Sequence, residues 1–324
     1  MKLFRIAAGA TMVIATLFSA AANAKDAAFP SKPISLIVPW NAGGSVDLTA
    51  RKLSEILGKS GVTVVVENVP GGTSIIGLTK VANAQPDGYT VGIATSSLMG
   101  IVAQNETKLR IDQFKALNQT TVEQLVLVVP KASPVNSVED FMALLKKKPG
   151  AVSIGTPGNN NVNHTFAAML ARAANVDYVN VPYTGGSKVL TDLAGKQIDA
   201  GILKPSEVMA QIQGGLIKAV GVFSNERVAI LPNVPTFAEK KIDVFPYGPL
   251  EQMSYLVAPK GMAPDRAQQL QEMFAKALAS DSYKAFAKEY GMKVTDVRGD
   301  DLQKQAVAIQ HTFNTVAPKI FTKQ

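Results

Sequence analysis

The chain has 324 residues, of which 33 are basic and 25 acidic, so its formal net charge is +8 at pH 7. It contains no cysteine, which excludes a disulfide framework, a lipid-anchored N-terminal cysteine and a thiol nucleophile. The basic residues are dispersed and only 6% of the residues are aromatic, so we expect no nucleic-acid partner.

Residues 1–24 have the pattern of a secretory signal peptide. The basic stretch MKLFR precedes an apolar run, and Ala22-Asn23-Ala24 supplies the small residues of a cleavage site. This run is shorter than the roughly 20 apolar residues that a membrane span needs. We therefore expect cleavage after Ala24 and a freely diffusing, monomeric protein in the periplasm.

The next residues alternate between strands, glycine turns and helices. ISLIVPW reads as a buried strand and VDLTARKLSEILGKS as an amphipathic helix. VTVVVENVP and TVGIATSS read as two further strands, with the helical stretch IIGLTKVANAQ between them. This order predicts a parallel, doubly wound α/β sheet.

A second set of such units begins at the strand EQLVLVVP and the helix VEDFMALLKKK. It runs on to the strand IKAVGVFS, after which SYLVAPKG and two helices, around 264–279 and 301–317, complete the chain. Removal of residues 1–24 leaves 300 residues, which is large for a single core. We predict two lobes, each a central sheet flanked by helices: residues 25–125 with 246–324, and residues 126–245.

The polar glycine loops of both lobes follow predicted strands, where open α/β sheets bind their ligands. Backbone N–H groups at a helix N-terminus bind anions, and glycine permits their close approach. These features predict a ligand cleft between the lobes. Any single glycine turn is equally compatible with a plain bend between strand and helix.

Residues for catalysis and metal binding are sparse. The chain lacks a G-x-S-x-G elbow, an H-E-x-x-H motif and a P-loop, and its only histidines are His164 and His311. We therefore expect no enzyme activity, no metal site and no cofactor. The alternative from another class is a secreted hydrolase that uses His164 as its base.

Several stretches, in this order, resemble the Bug family, the periplasmic receptors of tripartite tricarboxylate transporters. They are FPSKPISLIVPWNAGGSVDLTARKLSEIL, VVVENVPGGTSIIG, ANAQPDGYTVGIATSS, VSIGTPGNNNVNHTFAAML, VNVPYTGGSKVLTDLAGKQIDAGI and LPNVPTFAE. The resemblance runs from about Phe29 to the end of the chain. It implies a two-lobed periplasmic binding fold of the type II-like class, which closes on a small carboxylate and delivers it to membrane permease subunits.

The resemblance also implies which residues contact the ligand. In that family, the turn after the first strand and the glycine loop that opens the second lobe together hold one carboxylate. The first loop corresponds here to Trp40, Asn41, Ala42 and Gly43, and the second to Thr156, Pro157, Gly158 and Asn159. The remaining cleft residues implied in the same way are Asp47, Thr95, Ser96, Ser97, Tyr183 and Gly185.

Some positions leave two interpretations open. Asp47 is a ligand contact or a first-turn carboxylate that favours the helix dipole. Ser45 replaces the family's usual third glycine and is a ligand contact or a helix N-cap. Trp40 is a cleft wall or a core residue, and His164, at a predicted helix start, is a ligand contact or structural.

Lys204 bears on the class of ligand. If its ammonium group faces the cleft, it would pair with a second carboxylate of the ligand; otherwise it points to solvent. We therefore expect a di- or tricarboxylate. An aromatic carboxylate, which would suit Trp40, and a role in sensing instead of transport remain the alternatives.

Overall fold

Two five-stranded sheets, each covered by helices, form the computed structural model, which describes residues 29–105, 107–247 and 250–320. The predicted signal peptide lies outside these residues. The first sheet has the order β2-β1-β3-β10-β4. Its strands are β1 Ile34–Val38, β2 Val64–Asn68, β3 Thr90–Thr95, β4 Phe114–Glu123 and β10 Gln252–Pro259. This sheet and its helices are called the first lobe.

The second sheet has the order β7-β6-β8-β5-β9 and, with its helices, makes the second lobe. Its strands are β5 Leu125–Pro130, β6 Ser153–Pro157, β7 Val179–Tyr183, β8 Ala200–Leu203 and β9 Ile217–Phe223. The two-lobed α/β fold predicted from the sequence is thus confirmed.

Ten helices are assigned among the described residues, together with a short 3₁₀ turn at Ile111–Gln113. Those of the first lobe are α1 Ser45–Lys59, α2 Ile75–Ala82, α3 Ser96–Ala103, α8 Pro264–Ala279, α9 Asp281–Glu289 and α10 Gly299–Ile320. Those of the second lobe are α4 Val138–Lys147, α5 Val162–Ala174, α6 Gly186–Ala194 and α7 Pro205–Gln213. Within the described ranges, none of the helices combines the length and the apolarity that crossing a membrane requires.

The sheets are mixed, whereas the repeating units predict a parallel arrangement. β10 runs antiparallel to β3 and β4, and β5 runs antiparallel to β8 and β9. Both β5 and β10 follow a crossing of the chain from the other lobe. Such a strand enters its sheet at the edge where the neighbouring strands end, so it must run against them.

The lobes are joined at two places. Only Gln124 separates β4 from β5, and the chain returns between β9 and β10. The boundaries predicted at residues 125 and 245 stay a prediction, and we propose that they lie where the chain changes sheet.

Three local features differ from the sequence-based expectation. The strand TVGIATSS ends at Thr95, because Ser96 begins α3 and the Thr95 side chain accepts a hydrogen bond from the backbone N–H of Ser97 at 3.3 Å. α1 is capped by Gly44, not Ser45, whose side chain is bonded elsewhere. β4 and α9 were not predicted, since neither follows a glycine turn.

Candidate functional site

A small cavity lies between the two lobes, at the ends of several strands and the starts of several helices. The first lobe contributes Trp40, Asn41, Ser45, Thr95, Ser97 and Gln252 to its lining. The second lobe contributes Pro157, Asn163, Gly186, Lys204 and Glu207. Its volume is about 30 Å³, which is room for about two water molecules. Entry of an organic acid therefore requires the lobes to separate.

A buried ion pair joins the lobes at this cavity. The Nζ atom of Lys204, which caps the start of α7, lies 3.5 Å from Oε1 of Glu123 at the end of β4. Both side chains are almost inaccessible, at 5% and 0% exposure. Nζ also donates to the hydroxyls of Ser45 at 3.3 Å and Ser254 at 3.4 Å. Lys204 thus faces the cleft, but Glu123 already neutralises its charge.

Glu123 connects three parts of the molecule. It accepts a hydrogen bond from the Ser45 hydroxyl at 2.9 Å and one from the backbone N–H of Ser206 at 3.4 Å. Ser45 begins α1 in the first lobe and Ser206 belongs to α7 in the second. Because Glu123 stands beside Gln124, the charge cluster lies at a crossing between the lobes.

Glu207, in the first turn of α7, places a second carboxyl group in the cavity. Its Oε2 atom accepts a hydrogen bond from the backbone N–H of Lys204 at 3.0 Å, and the backbone N–H of Ser45 provides another. Burial raises the pKa of Glu207, Lys204 lowers it, and Glu123 raises it further; the net shift is upward. The N-termini of α1 and α7 therefore meet at a carboxyl group of the protein itself.

The first glycine turn is held by Asp47. Asp47 accepts hydrogen bonds from the backbone N–H of Gly43 at 2.9 Å, from Arg51 at 2.9 Å and from the Asn68 amide at 3.0 Å. Gly43 has φ +82°, a conformation that favours glycine. Ala42, Gly43 and Asp47 do not line the cavity, so Asp47 holds the turn without entering the cavity.

We expect Asp47→Asn to lower the free energy of unfolding by about 1–3 kcal/mol at pH 7, because hydrogen bonds to a charged group are lost. Burial raises the pKa of Asp47, but the bonds from Arg51, Gly43 and Asn68 outweigh it, so the net pKa is lowered. The stabilisation is therefore complete above the unfolded pKa near about 3.9 and disappears as the pH falls through the lower folded pKa.

Urea unfolding of wild type and Asp47→Asn over that pH range measures the difference. Asp265→Asn is the matched control, since Asp265 is an exposed first-turn acid of α8. A difference that persists unchanged well below pH 3.9 would contradict a role for the ionised carboxylate.

The three hydroxyl residues after β3 have different roles. Thr95 caps α3, and both Thr95 and Ser97 line the cavity. Ser96 instead donates to the carbonyl of Glu251 at 2.7 Å and accepts from the backbone N–H of Met253 at 3.0 Å. Ser96 therefore links α3 to β10.

In the second glycine loop, only Pro157 lines the cavity. The Thr156 hydroxyl donates to the Gly158 carbonyl at 2.7 Å. The backbone N–H of Asn159 donates to the Thr73 hydroxyl at 3.0 Å, and the Asn159 side chain accepts from Asn180 at 2.9 Å. These groups hold the loop and bind it to the opposite lobe.

His164 and Tyr183 lie outside the cleft cavity. Nδ1 of His164 accepts a hydrogen bond from the backbone N–H of Asn160 at 3.0 Å, and burial lowers the pKa of His164 to about 4. The imidazole is therefore neutral at neutral pH. The Tyr183 hydroxyl donates to Asp192 at 2.6 Å, and Gly185 caps α6.

Hydrogen bonds between the lobes show that the cleft is closed. Asn41 donates to the Thr184 hydroxyl at 2.6 Å, and the Ser187 hydroxyl donates to the Ala42 carbonyl at 3.3 Å. On the other side, the Gln104 amide donates to the Asn160 carbonyl at 2.9 Å. The two glycine loops are thus each tied to the facing lobe.

Three buried polar atoms at the cavity have no hydrogen-bond partner within the described part of the chain: Nε1 of Trp40, Oδ1 of Asn163 and Oε1 of Gln252. The amide nitrogen of Asn163 donates to the Ile202 carbonyl at 2.8 Å, which orients Oδ1 as a free acceptor. Buried polar groups are normally paired. Within the described ranges, these three atoms are instead left without a partner in the closed form.

Sequence reasoning missed six cavity residues: Gly44, Val46, Asn163, Gly186, Glu207 and Gln252. The stretch Lys204-Pro205-Ser206-Glu207 has the spacing of a helix start with an acid at the third position. That signal locates Glu207 on the first turn of α7, but it does not reveal which way the carboxyl group points. Among the described residues, no group of three or more His, Asp or Glu side chains is placed to hold a metal ion.

A two-lobed α/β fold, closed over a cavity that is lined by helix N-termini and buried polar groups, defines a solute-binding receptor of the periplasmic binding protein class. The chain belongs to the tripartite tricarboxylate transporter family receptors, the family that it matches over residues 48–321. This is a family of receptors, not of enzymes.

Individual relatives agree with this assignment. The UPF0065 protein in the gbd 5′ region of Cupriavidus necator is 30% identical over 278 residues, which cover 84% of this chain and 82% of the relative. The structure of the periplasmic binding protein BugD superposes with a TM-score of 0.85 at 27% identity, over 90% of this chain and 99% of BugD. MatC from Rhodopseudomonas palustris, solved with bound malate, shares the fold at 23% identity, with a TM-score of 0.82 over 89% of this chain and 99% of MatC.

Proposed function

We propose that this protein is a periplasmic receptor that captures a small organic carboxylate between its lobes and delivers it to the membrane subunits of a tripartite tricarboxylate transporter. The observation that supports this most is the cavity itself, where the N-termini of α1, α6 and α7 meet beside the ammonium group of Lys204. Helix N-termini carry partial positive charge and favour anions; two of their N–H groups, those of Lys204 and Ser45, donate to Glu207.

We further propose that ligand release and capture require opening at the two crossings between the lobes, because the closed cavity of about 30 Å³ is too small for an organic acid. Closure would then remove the ligand from water and present the closed surface to the permease. Among the predicted site residues, Trp40, Asn41, Ser45, Thr95, Ser97, Pro157 and Lys204 are proposed as the groups nearest the ligand.

A di- or tricarboxylate was predicted because Lys204 could pair with a second carboxylate. That preference stays a prediction, and the ion pair of Lys204 with Glu123 reduces its basis. An aromatic carboxylate has one supporting observation, since the Trp40 side chain lines the cavity. MatC, whose structure contains malate, illustrates that the fold accommodates a small dicarboxylate.

The proposal predicts that an organic acid raises the midpoint of thermal unfolding. At about 100 times its Kd, a ligand of the folded state adds about 2.7 kcal/mol, which corresponds to a shift of about 4 °C for a chain of this size. The measurement is a thermal unfolding series with millimolar malate, succinate, adipate, citrate, benzoate and the corresponding half-amides. Glucose and sodium sulfate serve as controls, and the absence of a shift with every acid and half-amide would contradict the proposal.

A further inference from the structure

We propose that Glu207 sets the ligand class of this receptor: its carboxyl group occupies the anion position of the cleft, so the ligand presents an N–H donor group there and places its own carboxylate elsewhere. This inference rests on the proposed function. By anion position we mean the place of this carboxyl group, which lies against Gly44 and Ser45 at the start of α1 and Gly186 at the start of α6. An amide or an ammonium group on a small carboxylate is the chemistry that such a site recognises.

The contacts of Glu207 place its carboxyl group firmly at this position. Oε2 accepts the backbone N–H of Lys204 at 3.0 Å, and the backbone N–H of Ser45 also donates to the carboxyl group. A Cβ atom on Gly186 would lie 2.3 Å from Oε1, and one on Gly44 would lie 3.8 Å from it. The two glycines thus leave the space that the carboxyl group fills.

The charges around the cavity also disfavour a further carboxylate at this end. The carboxyl groups of Glu123 and Glu207 share one ammonium group, that of Lys204, which is the only cation among the cavity-lining residues of the described chain. Like charges in a buried site repel strongly because little solvent screens them. A ligand carboxylate beside Glu207 would add a third acid to the same ammonium group.

Among the described residues, unpartnered polar atoms also occur on three that line the cavity, Trp40, Asn163 and Gln252. Oδ1 of Asn163, a cavity-lining residue, is a buried acceptor, and its orientation is set by the bond from its amide nitrogen to the Ile202 carbonyl. Both Asn163 Oδ1 and the Glu207 carboxyl group are acceptors, and acceptors suit an amide NH2 or an ammonium group. The indole N–H of Trp40 is a buried donor, which suits the ligand's carboxylate.

The test compares isosteric ligands on one protein. Isothermal titration of wild type is carried out with succinate and succinamate, with glutarate and glutaramate, and with 4-aminobutanoate. We expect at least one half-amide or the amino acid to bind at least tenfold more tightly than the dicarboxylate of the same length. The half-amide keeps the shape of the dicarboxylate and changes only the charge and the donors at one end.

Glu207→Gln should reverse this preference, because glutamine keeps the size of the side chain and offers an NH2 donor to a carboxylate. We expect its dicarboxylate affinity to rise at least tenfold relative to its half-amide affinity. Glu226→Gln is the matched control, since Glu226 is an exposed acid of the second lobe, and it should leave the ratio unchanged. If Glu207→Gln fails to fold, Gly186→Ala provides the second variant, because the added Cβ displaces the Glu207 carboxyl group.

The outcomes separate the two hypotheses. Equal or tighter binding of the dicarboxylates by wild type, or an unchanged ratio in the Glu207 variant, overturns the role of Glu207 and leaves a carboxylate receptor. If folded wild type binds none of these compounds and none of the acids in the thermal series, the receptor hypothesis itself fails, and the inference about Glu207 falls with it.

Discussion

Lys204→Met is expected to lower the free energy of unfolding by about 3–5 kcal/mol, because it leaves Glu123 and Glu207 buried without their cation. Both partners of the ion pair are inaccessible, at 5% and 0% exposure, so water cannot replace the lost ammonium group while the cleft is closed. Urea unfolding measures the loss. Lys204 belongs to the second lobe and Ser45 to the first, so opening of the cleft would expose the buried carboxylates to water and reduce the destabilisation. Small-angle scattering of the variant detects such an opening.

A double-mutant cycle identifies the source of this loss. Glu123→Gln alone should also destabilise, because it leaves the ammonium group of Lys204 paired only with Glu207. The double variant Glu123→Gln, Lys204→Met should lose clearly less than the sum of the single variants, since a neutral replacement of a buried ion pair is often tolerated. Additive losses, or a Lys204→Met protein with unchanged stability and unchanged dimensions, would contradict the burial of this pair.

Gly100→Ala is expected to weaken ligand binding about 10- to 100-fold, because the added Cβ atom destabilises the closed form. Gly100 lies in α3 of the first lobe, and a Cβ atom there would lie 2.6 Å from the Asn160 carbonyl and 3.3 Å from Cα of Asn161, both in the second lobe. Such overpacking costs about 1–3 kcal/mol, and about 1.4 kcal/mol corresponds to tenfold in affinity. Separation of the lobes removes the close approach to Asn160 and Asn161, whereas a third contact, 3.3 Å to Cε1 of Phe313 in α10, lies within the first lobe.

Titration with whichever acid raises the unfolding midpoint most measures this effect, and small-angle scattering of the liganded protein measures the residual opening. Gly58→Ala is the matched control, because Gly58 lies in α1 and a Cβ atom there meets nothing within 4 Å. It should leave affinity unchanged and slightly raise stability, since alanine favours a helix. Wild-type affinity in Gly100→Ala would show that the contact between α3 and the loop at Asn160 is not required for binding.

Much of the fold follows from local patterns in the sequence. The strand, glycine turn and helix around Trp40 and Gly43, and the later units of the same kind, predict two α/β lobes with a cleft at the strand ends. The antiparallel direction of β5 and β10 does not follow from these patterns, because it results from where the chain crosses between lobes. The sequence of a single strand does not indicate where the chain crosses between the lobes.

Part of the site was predictable, because a residue's position at the end of a strand indicates that it lies near the cleft. Trp40, Thr95 and Pro157 line the cavity as their places predict. Asp47 lies in the first turn of α1 and Tyr183 ends β7, yet their polar groups bond to Arg51 in α1 and to Asp192 in α6 and do not enter the cavity. The direction of a side chain at a helix start depends on its hydrogen-bond partners. For the same reason, the sequence did not predict that Glu207 points into the cavity.

The place of β10 in the first sheet affects how the protein is assembled after export. All strands of the second sheet come from the continuous stretch 125–223, whereas β4 has β10 as its sole neighbour in the first sheet. Until residues 252–259 have emerged, β4 is an unpaired edge, a form of strand that is prone to aggregate. The second lobe can therefore finish folding early, and the lobe that begins the chain is completed last.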